Sequence, residues 1–302
     1  MTRASTRSPS RQADVTPFWP LYIEPLLGAL KPERILQIGV GDGELAAHLL
    51  DVCRRTRAHL DLVDPRAPGG LEKELGPGAA IQRVQPWKAV PLGEPADLVL
   101  LDGEPNWWAV FTILNALRRR AAERGRRFPL VLVHHAAWPY ARRDMYPNPD
   151  VVPEAHPFAH LGVDPDKTEL VQDGLNSRFA HANHQGGPRN GVLTALEDFA
   201  ASAPVELELK TIPLLSGLAI LAPASRTTPE LRTMIDGFSS PEASARALEA
   251  ASAEARRLAA RLAEAEARLA RRTAALERAR ELITRQEADI LALRQQLRTK
   301  SG

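Results

Sequence analysis

The sequence holds a single cysteine, Cys53, among its 302 residues, so no disulfide can close within the chain. That scarcity fits a reducing compartment, and a cytoplasmic location is expected. Residues 1–15 lack the apolar core of a secretory signal, and no run approaches the ~18 consecutive apolar residues of a membrane span. An excess of one charge is missing too. With 39 basic and 37 acidic side chains the formal net charge is +2, which gives no basis for a nucleic-acid partner. What is present is length and apolar content: at 44% hydrophobic residues the chain can bury one large domain with an appendage, or two small domains.

Residues 1–15 are polar, carry three arginines and show no apolar period, so a disordered basic tail is expected there. From Pro17 to Leu30, the spacing of Trp19, Leu21, Tyr22, Leu26, Leu27 and Leu30 predicts a helix covering one edge of a sheet. Short β-type runs follow at 35–39, 59–64, 79–84, 96–102 and 129–135, with helical segments at 44–56 and 106–124. This alternation predicts a mostly parallel sheet with helices on both faces. Residues 136–188 break the rhythm. They are rich in Pro, His, Asp and Asn and too long for a bland connection, which predicts a segment that binds something or moves. A helix over 190–202 and two strands at 205–212 and 217–223 complete the pattern, the short link between the strands predicting an antiparallel hairpin. The fold class expected for residues 16–223 is therefore α/β, a Rossmann-like, mostly parallel seven-stranded sheet with a C-terminal antiparallel hairpin.

Residues 224–241 read as a linker with one short helix. Residues 242–298 are different in kind: from Ala243 to Arg298 there is neither glycine nor proline. Leu248, Ala255, Leu262, Leu269, Leu276, Ile283, Ile290 and Leu297 recur every seven residues, with Ala251, Leu258, Ala265, Ala279 and Leu293 three places later. Arg272 and Gln286 interrupt the second row. This a/d seam predicts a long α-helical coiled coil, with a tail at 299–302. A lone helix cannot bury such a seam, so a homo-oligomer or a partner helix is expected.

The most informative local motif is Gln37-Ile38-Gly39-Val40-Gly41-Asp42-Gly43, placed between a strand and a helix. Glycines there permit positive φ and close backbone approach, so a ligand can lie against the turn and the helix N-terminus. The spacing is G-x-G-x-G, with Glu44 where a dinucleotide fingerprint would place its third glycine. Asp64 ends the next strand, where a carboxylate can accept both ribose hydroxyls. Glycine turn and acid together predict a nucleoside ligand.

The order of elements and these residues resemble the class I S-adenosylmethionine-dependent methyltransferases, over about two-thirds of the chain. The resemblance implies that Gly39, Gly41 and Gly43 wrap the methionine part of S-adenosylmethionine and that Asp64 holds its ribose. Gln37, also implied as a cofactor contact, stands where the family more often has an acid. Trp87, in a segment where many members place an acid near adenine, either stacks on the base or packs in the core.

The run Ala96–Val110 resembles the fourth-strand segment of sugar and natural-product O-methyltransferases, commonly D-G-D-H followed by an aromatic, with Asp102 at the first acid. The next strand ends in His134-His135 and runs on to Trp138-Pro139-Tyr140 and Arg142-Arg143-Asp144. This is similar to a bacterial subgroup associated with glycan biosynthesis, in which His-Asp precedes W-P-Y. Here His135 takes the Asp position. No residue is therefore assigned as a metal ligand, and a divalent metal stays open as an alternative. Asn176, His184 and Asn190 extend the same resemblance as polar candidates near the site.

Histidine titrates near neutrality, so His135 and His134 are the candidate catalytic bases, with Asp102 as base, orienter or metal ligand and Asp144 as a further catalytic candidate. Arg142, Arg143 and Asp144 either hold an anionic acceptor or pair internally. The leading reading is an O-methyltransferase for a sugar, glycan or related small-molecule acceptor. A cofactor-binding scaffold, weakened in catalysis by Gln37 and His135 and recruiting partners through its coiled coil, is the second. A nicotinamide-dependent dehydrogenase, third, is disfavoured by the glycine spacing.

Overall fold

In the computed structural model the described residues are 15–73 and 75–300, with side chains as far as 294. The tail expected at 1–15 lies outside them apart from Val15, which is buried. Of the tail expected at 299–302, residues 301–302 lie outside and the rest continue the last helix. The chain divides between Ala247 and Leu248 into two compact units.

The first unit opens with a 3₁₀ turn (Thr16–Phe18), a π-helical turn (Trp19–Ile23) and helix α1 (Glu24–Leu30). One helix was expected. Pro17, Pro20 and Pro25 have no amide to donate, so the ladder changes pitch instead of running through. Then come β1 (Arg34–Ile38), α2 (Glu44–Thr56), β2 (His59–Val63), β3 (Ala79–Gln82), α3 (Pro86–Ala89), β4 (Leu98–Leu101), α4 (Trp107–Glu123) and β5 (Leu130–His134). The long segment after β5 folds into short strands, β6 (Met145–Tyr146), β7 (Phe158–Ala159), β8 (Gly162–Asp164), β9 (Lys167–Val171) and β10 (Ala180–Ala182). They form a three-stranded sheet, β6-β10-β7, and a two-stranded one, β8-β9. Helix α5 (Val192–Ser202), strands β11 (Leu207–Ile212) and β12 (Leu218–Pro223), and helices α6 (Pro229–Gly237) and α7 (Pro241–Lys300) follow.

The main sheet runs β11-β12-β5-β4-β1-β2-β3. β1 to β5 are mutually parallel, and β12 is antiparallel to both β5 and β11. From β1 the chain winds outward through β2 and β3, then returns to place β4 on the other side. That reversal creates a crevice beyond the C-terminal ends of β1 and β4, where open α/β sheets take ligands. The inner strands are mostly apolar, β4 along its whole length, as expected where helices cover both faces. On one face Val99, Leu101, Val131 and Val133 pack with Ile113 and Leu114 of α4 and with Leu196 and Phe199 of α5.

Residues 224–241, expected as a linker, contain α6, which buries Leu231 and Ile235. Beyond it the Phe238 ring meets Tyr22 edge-on at 5.1 Å. Among the described residues, no helix is long and apolar enough to cross a membrane.

The second unit is the greater part of α7. With no glycine or proline from Glu242 to Lys300, the helix runs unbroken to Lys300. The Leu and Ile side chains of its expected seam are 50 to 69% exposed between Leu248 and Leu293.

Candidate functional site

The turn after β1 is built by its glycines. Gly39, Gly41 and Gly43 take φ of +81°, +58° and +90°. A Cβ on Gly39 would stand 1.6 Å from the carbonyl oxygen of Asp102, so the turns after β1 and β4 touch backbone to backbone. A Cβ on Gly41 would meet nothing within 4 Å. Gly41 is therefore needed for its conformation, and the space beside it is open.

Asp64 faces this turn. Its Oδ2 accepts from the Val40 amide at 2.8 Å and its Oδ1 from the Arg66 amide at 2.7 Å. Gln37 is buried and its Nε2 donates to the Gly39 carbonyl at 2.9 Å, while its Oε1 is buried with no hydrogen-bond partner. Glu104, two residues beyond Asp102, is a site residue that the sequence reading did not single out. It is buried, receives Arg66 at 3.3 Å on Oε1 and has no partner on Oε2. Burial pushes its pKa up to about 7, with Arg66 opposing and Asp64 adding to the rise.

At the ends of β4 and β5 the structure brings Asp102, His134 and His135 together. Asp102 Oδ1 lies 3.0 Å from His134 Nδ1 and 3.3 Å from His135 Nε2. Successive residues of a strand point to opposite faces, yet both rings reach one carboxylate. His135 does so by leaving the strand at φ +65°, a conformation held only where the surroundings over-determine it. The two imidazoles then stack 4.0 Å apart. His134 Nε2 meets Ser216 Oγ at 2.6 Å, and Phe18 from the first turn packs edge-on against the same ring at 5.7 Å.

Burial alone would raise the Asp102 pKa, but the adjacent His134 and hydrogen bonds from both histidines outweigh it and hold the carboxyl well below its usual range. Burial, reinforced by His134, pushes His135 down to about 4 against the pull of Asp102. His135 is thus neutral at pH 7.

The three side chains could hold a metal, their ligand atoms lying within 4.8 Å of one another. The two distances from the carboxylate suit one. Ligands in cis positions about an ion with bonds of about 2.1 Å are separated by about 3 Å, as these nitrogens are from Oδ1. The donor set, two imidazoles and a carboxylate, suits a divalent transition ion.

Other expected site residues have structural partners. Asp144 has the fullest set of partners. Its Oδ1 accepts from the Trp107 and Gly191 amides at 2.7 and 2.6 Å, and its Oδ2 from the Tyr146 hydroxyl at 2.9 Å. It caps the starts of α4 and α5, so its oxygens are committed to the fold. Arg142 pairs with both carboxylate oxygens of Glu197, and buried Arg143 donates to the carbonyls of Ala182 and Thr168. Internal pairing, one of the two expected arrangements, is present for both, and the Arg142 guanidinium also reaches solvent. Asn190 accepts from the Asp144 amide and donates to the carbonyls of His184 and Gly186, fastening the same segment. Asn176 donates to the buried Tyr140 hydroxyl at 2.6 Å, and His184 meets His156 edge-on at 5.0 Å. Trp87 packs edge-on against Trp108 at 5.0 Å.

Ser216 was also missed. It lies 82 residues from His134, in the turn before β12, where no local motif marks it. Glu104 had a signal, an acid at the second acidic place of the D-G-D-H pattern. A separate cavity of about 130 Å³, reached by Arg34, Asp61, Glu94 and Arg120, opens toward the N-terminal ends of the strands, away from these groups.

No protein-family model matches the sequence, and no curated protein matches it. Among solved structures, the SAH-bound methyltransferase PaMTH1 of Podospora anserina is similar at 15% identity and a TM-score of 0.42, covering 70% of this chain and 79% of that one. A SAM-dependent methyltransferase from Methanosarcina mazei is similar at 14% identity and a TM-score of 0.34, covering 63% and 91%.

Proposed function

We propose that this chain is an S-adenosylmethionine-dependent methyltransferase that acts on a hydroxyl of a sugar, glycan or related small-molecule acceptor. The observation that supports it most is the backbone contact that sets the three-glycine turn, with Asp64 bonded to it, beside the cluster of Asp102, His134 and His135. In this reading Gly39, Gly41 and Gly43 let the cofactor lie against the backbone, and Asp64 keeps lone pairs for ribose hydroxyls beside those given to amides. Gln37 Oε1 and Glu104 Oε2 add unused acceptors, which suit a ligand carrying an ammonium group.

When bound, S-adenosylmethionine supplies a methyl group on a sulfonium for in-line transfer, so positioning the acceptor is most of the work. The acceptor hydroxyl must also lose its proton, and neutral His135 takes it at a ring nitrogen. An imidazole of pKa about 4 suffices, because the hydroxyl becomes far more acidic as its oxygen gains the methyl carbon. Asp102 stays ionised and stabilises the positive ring. His134, held between Asp102 and Ser216, keeps that carboxylate in place. A second arrangement rests on the spacing of the three donors: a divalent ion held by Asp102, His134 and His135 would bind the acceptor oxygen and lower its pKa.

Calorimetry of the full chain with S-adenosylmethionine, its demethylated product and NAD separates the alternatives. Binding of both sulfur compounds and not of NAD is expected; binding of neither sulfur compound overturns the proposal. Binding without methyl transfer to any sugar-type acceptor, with or without divalent ions, favours the scaffold reading instead.

A further inference from the structure

Among the described residues, the α7 seam is a row of exposed apolar side chains. We propose that two copies of this chain pair through residues 248–293 as a parallel, in-register, two-stranded coiled coil. Leu248, Leu262, Leu269, Leu276, Ile283 and Ile290 stand on one face, each at least half exposed. The stretch spans about 70 Å at 1.5 Å per residue. A helix of that length in water gains most of its stability from burying such a row.

The charges beside the seam select the partner and its direction. With Leu248 at position a, a parallel in-register pair sets each g residue against the e residue five places later on the other copy. Arg261 then meets the partner's Glu266, and Asp289 meets the partner's Arg294, each contact occurring twice by symmetry. The remaining g-to-e contacts include a neutral side chain, so no like charges oppose. Full antiparallel overlap instead sets Glu254 against the partner's Asp289 and creates no attractive pair.

Ion pairs within the helix match this register in part, since Arg280 and Glu287 have no charged mate in the register and, among the described residues, none on their own helix. Glu254 and Arg268, which have no charged mate in the parallel register, are engaged on their own helix by Arg257 at 3.1 Å and Glu264 at 3.0 Å. Among the described residues, Arg261, Glu266, Asp289 and Arg294 form no ion pair within the chain. Gln286, at d, can bond amide to amide with its own copy only in register; antiparallel overlap would set it against Ala255. Arg272 is the weak layer, with stems that run out to solvent.

Sedimentation of the full chain, with buried Cys53 replaced by Ala, tests the pairing. Twice the 33.1 kDa chain mass is expected at micromolar concentration. Under mild oxidation Ala251→Cys, at d, should cross-link the dimer, and Ala260→Cys, on the outer face, should not. Glu266→Arg should weaken the dimer about tenfold, and Arg261→Glu in the same chain should restore it. A monomer, a trimer, or a dimer in which Ala251→Cys fails to cross-link overturns the proposal.

Discussion

His134 and Ser216 share a 2.6 Å hydrogen bond, Nε2 to Oγ, that ties the end of β5 to the turn before β12. The other ring nitrogen is 3.0 Å from Asp102, so a flip of the imidazole would break contacts on both sides. The ring is oriented from outside the reacting cluster.

Ser216→Ala should therefore lower kcat about 10- to 100-fold, the usual effect of losing an orienting partner. Its Kd for S-adenosylmethionine should stay unchanged by calorimetry. A parallel loss of affinity would show that the serine supports the fold of the whole crevice instead.

Two glycines of one turn should respond differently to the same added methyl. Gly39→Ala drives a Cβ into the Asp102 carbonyl and should lower stability by more than about 3 kcal/mol in a urea titration. Gly41→Ala meets no atom and carries only the left-handed strain, about 1 to 2 kcal/mol. Its larger effect should be on cofactor affinity, because the methyl enters the open space beside the turn.

Asp144→Ala leaves two buried amides and a hydroxyl without their acceptor, so a loss of at least about 3 kcal/mol is expected. Asp144→Asn keeps one acceptor oxygen and should lose less. Proteolysis of residues 145–190 should accelerate in the alanine variant. An alanine variant of normal stability but without turnover would return Asp144 to the catalytic group.

His181 supplies a pH dependence. Burial is the main cause that brings its pKa from 6.5 down to about 4, the ring lying between Tyr140 and the Leu161 carbonyl. The unfolded chain binds a proton near pH 6.5 that the folded chain resists until about pH 4. Its neutral form thus supports folding fully above pH 6.5, and this contribution falls away between 6.5 and 4. The size is on the order of 3 kcal/mol. Denaturant titrations at pH 7 and pH 4 should show a smaller drop for His181→Gln than for the parent, and equal drops would refute it.

Much of the sheet was readable because its signals are local. A strand, a glycine turn and a helix lie within about twenty residues, and inner strands buried on both faces appear as unbroken apolar runs. The common position of Asp102, His134 and His135 was readable for the same reason, each ending such a run. The contacts of Asp144 were not, since they are made with amides 37 and 47 residues away, at two helix starts that only the folded chain brings together. The segment after β5 hid its strands for a different reason: at two to five residues each, they are too short to display alternation. The break in the first helix has a local mark in Pro17, Pro20 and Pro25, which the helical spacing of the apolar residues around them masks.

The contact between Gly39 and the Asp102 carbonyl has a consequence for how the protein can change. It fixes the distance between the nucleoside side of the crevice and the carboxylate side through main-chain atoms alone. Side chains lining the crevice can be replaced, and the segment from 136 to 191 rebuilt for a different acceptor, without altering that span. Under the proposed chemistry, acceptor choice and methyl alignment are separable, and the chain can alter the first while the second stays where the backbone holds it.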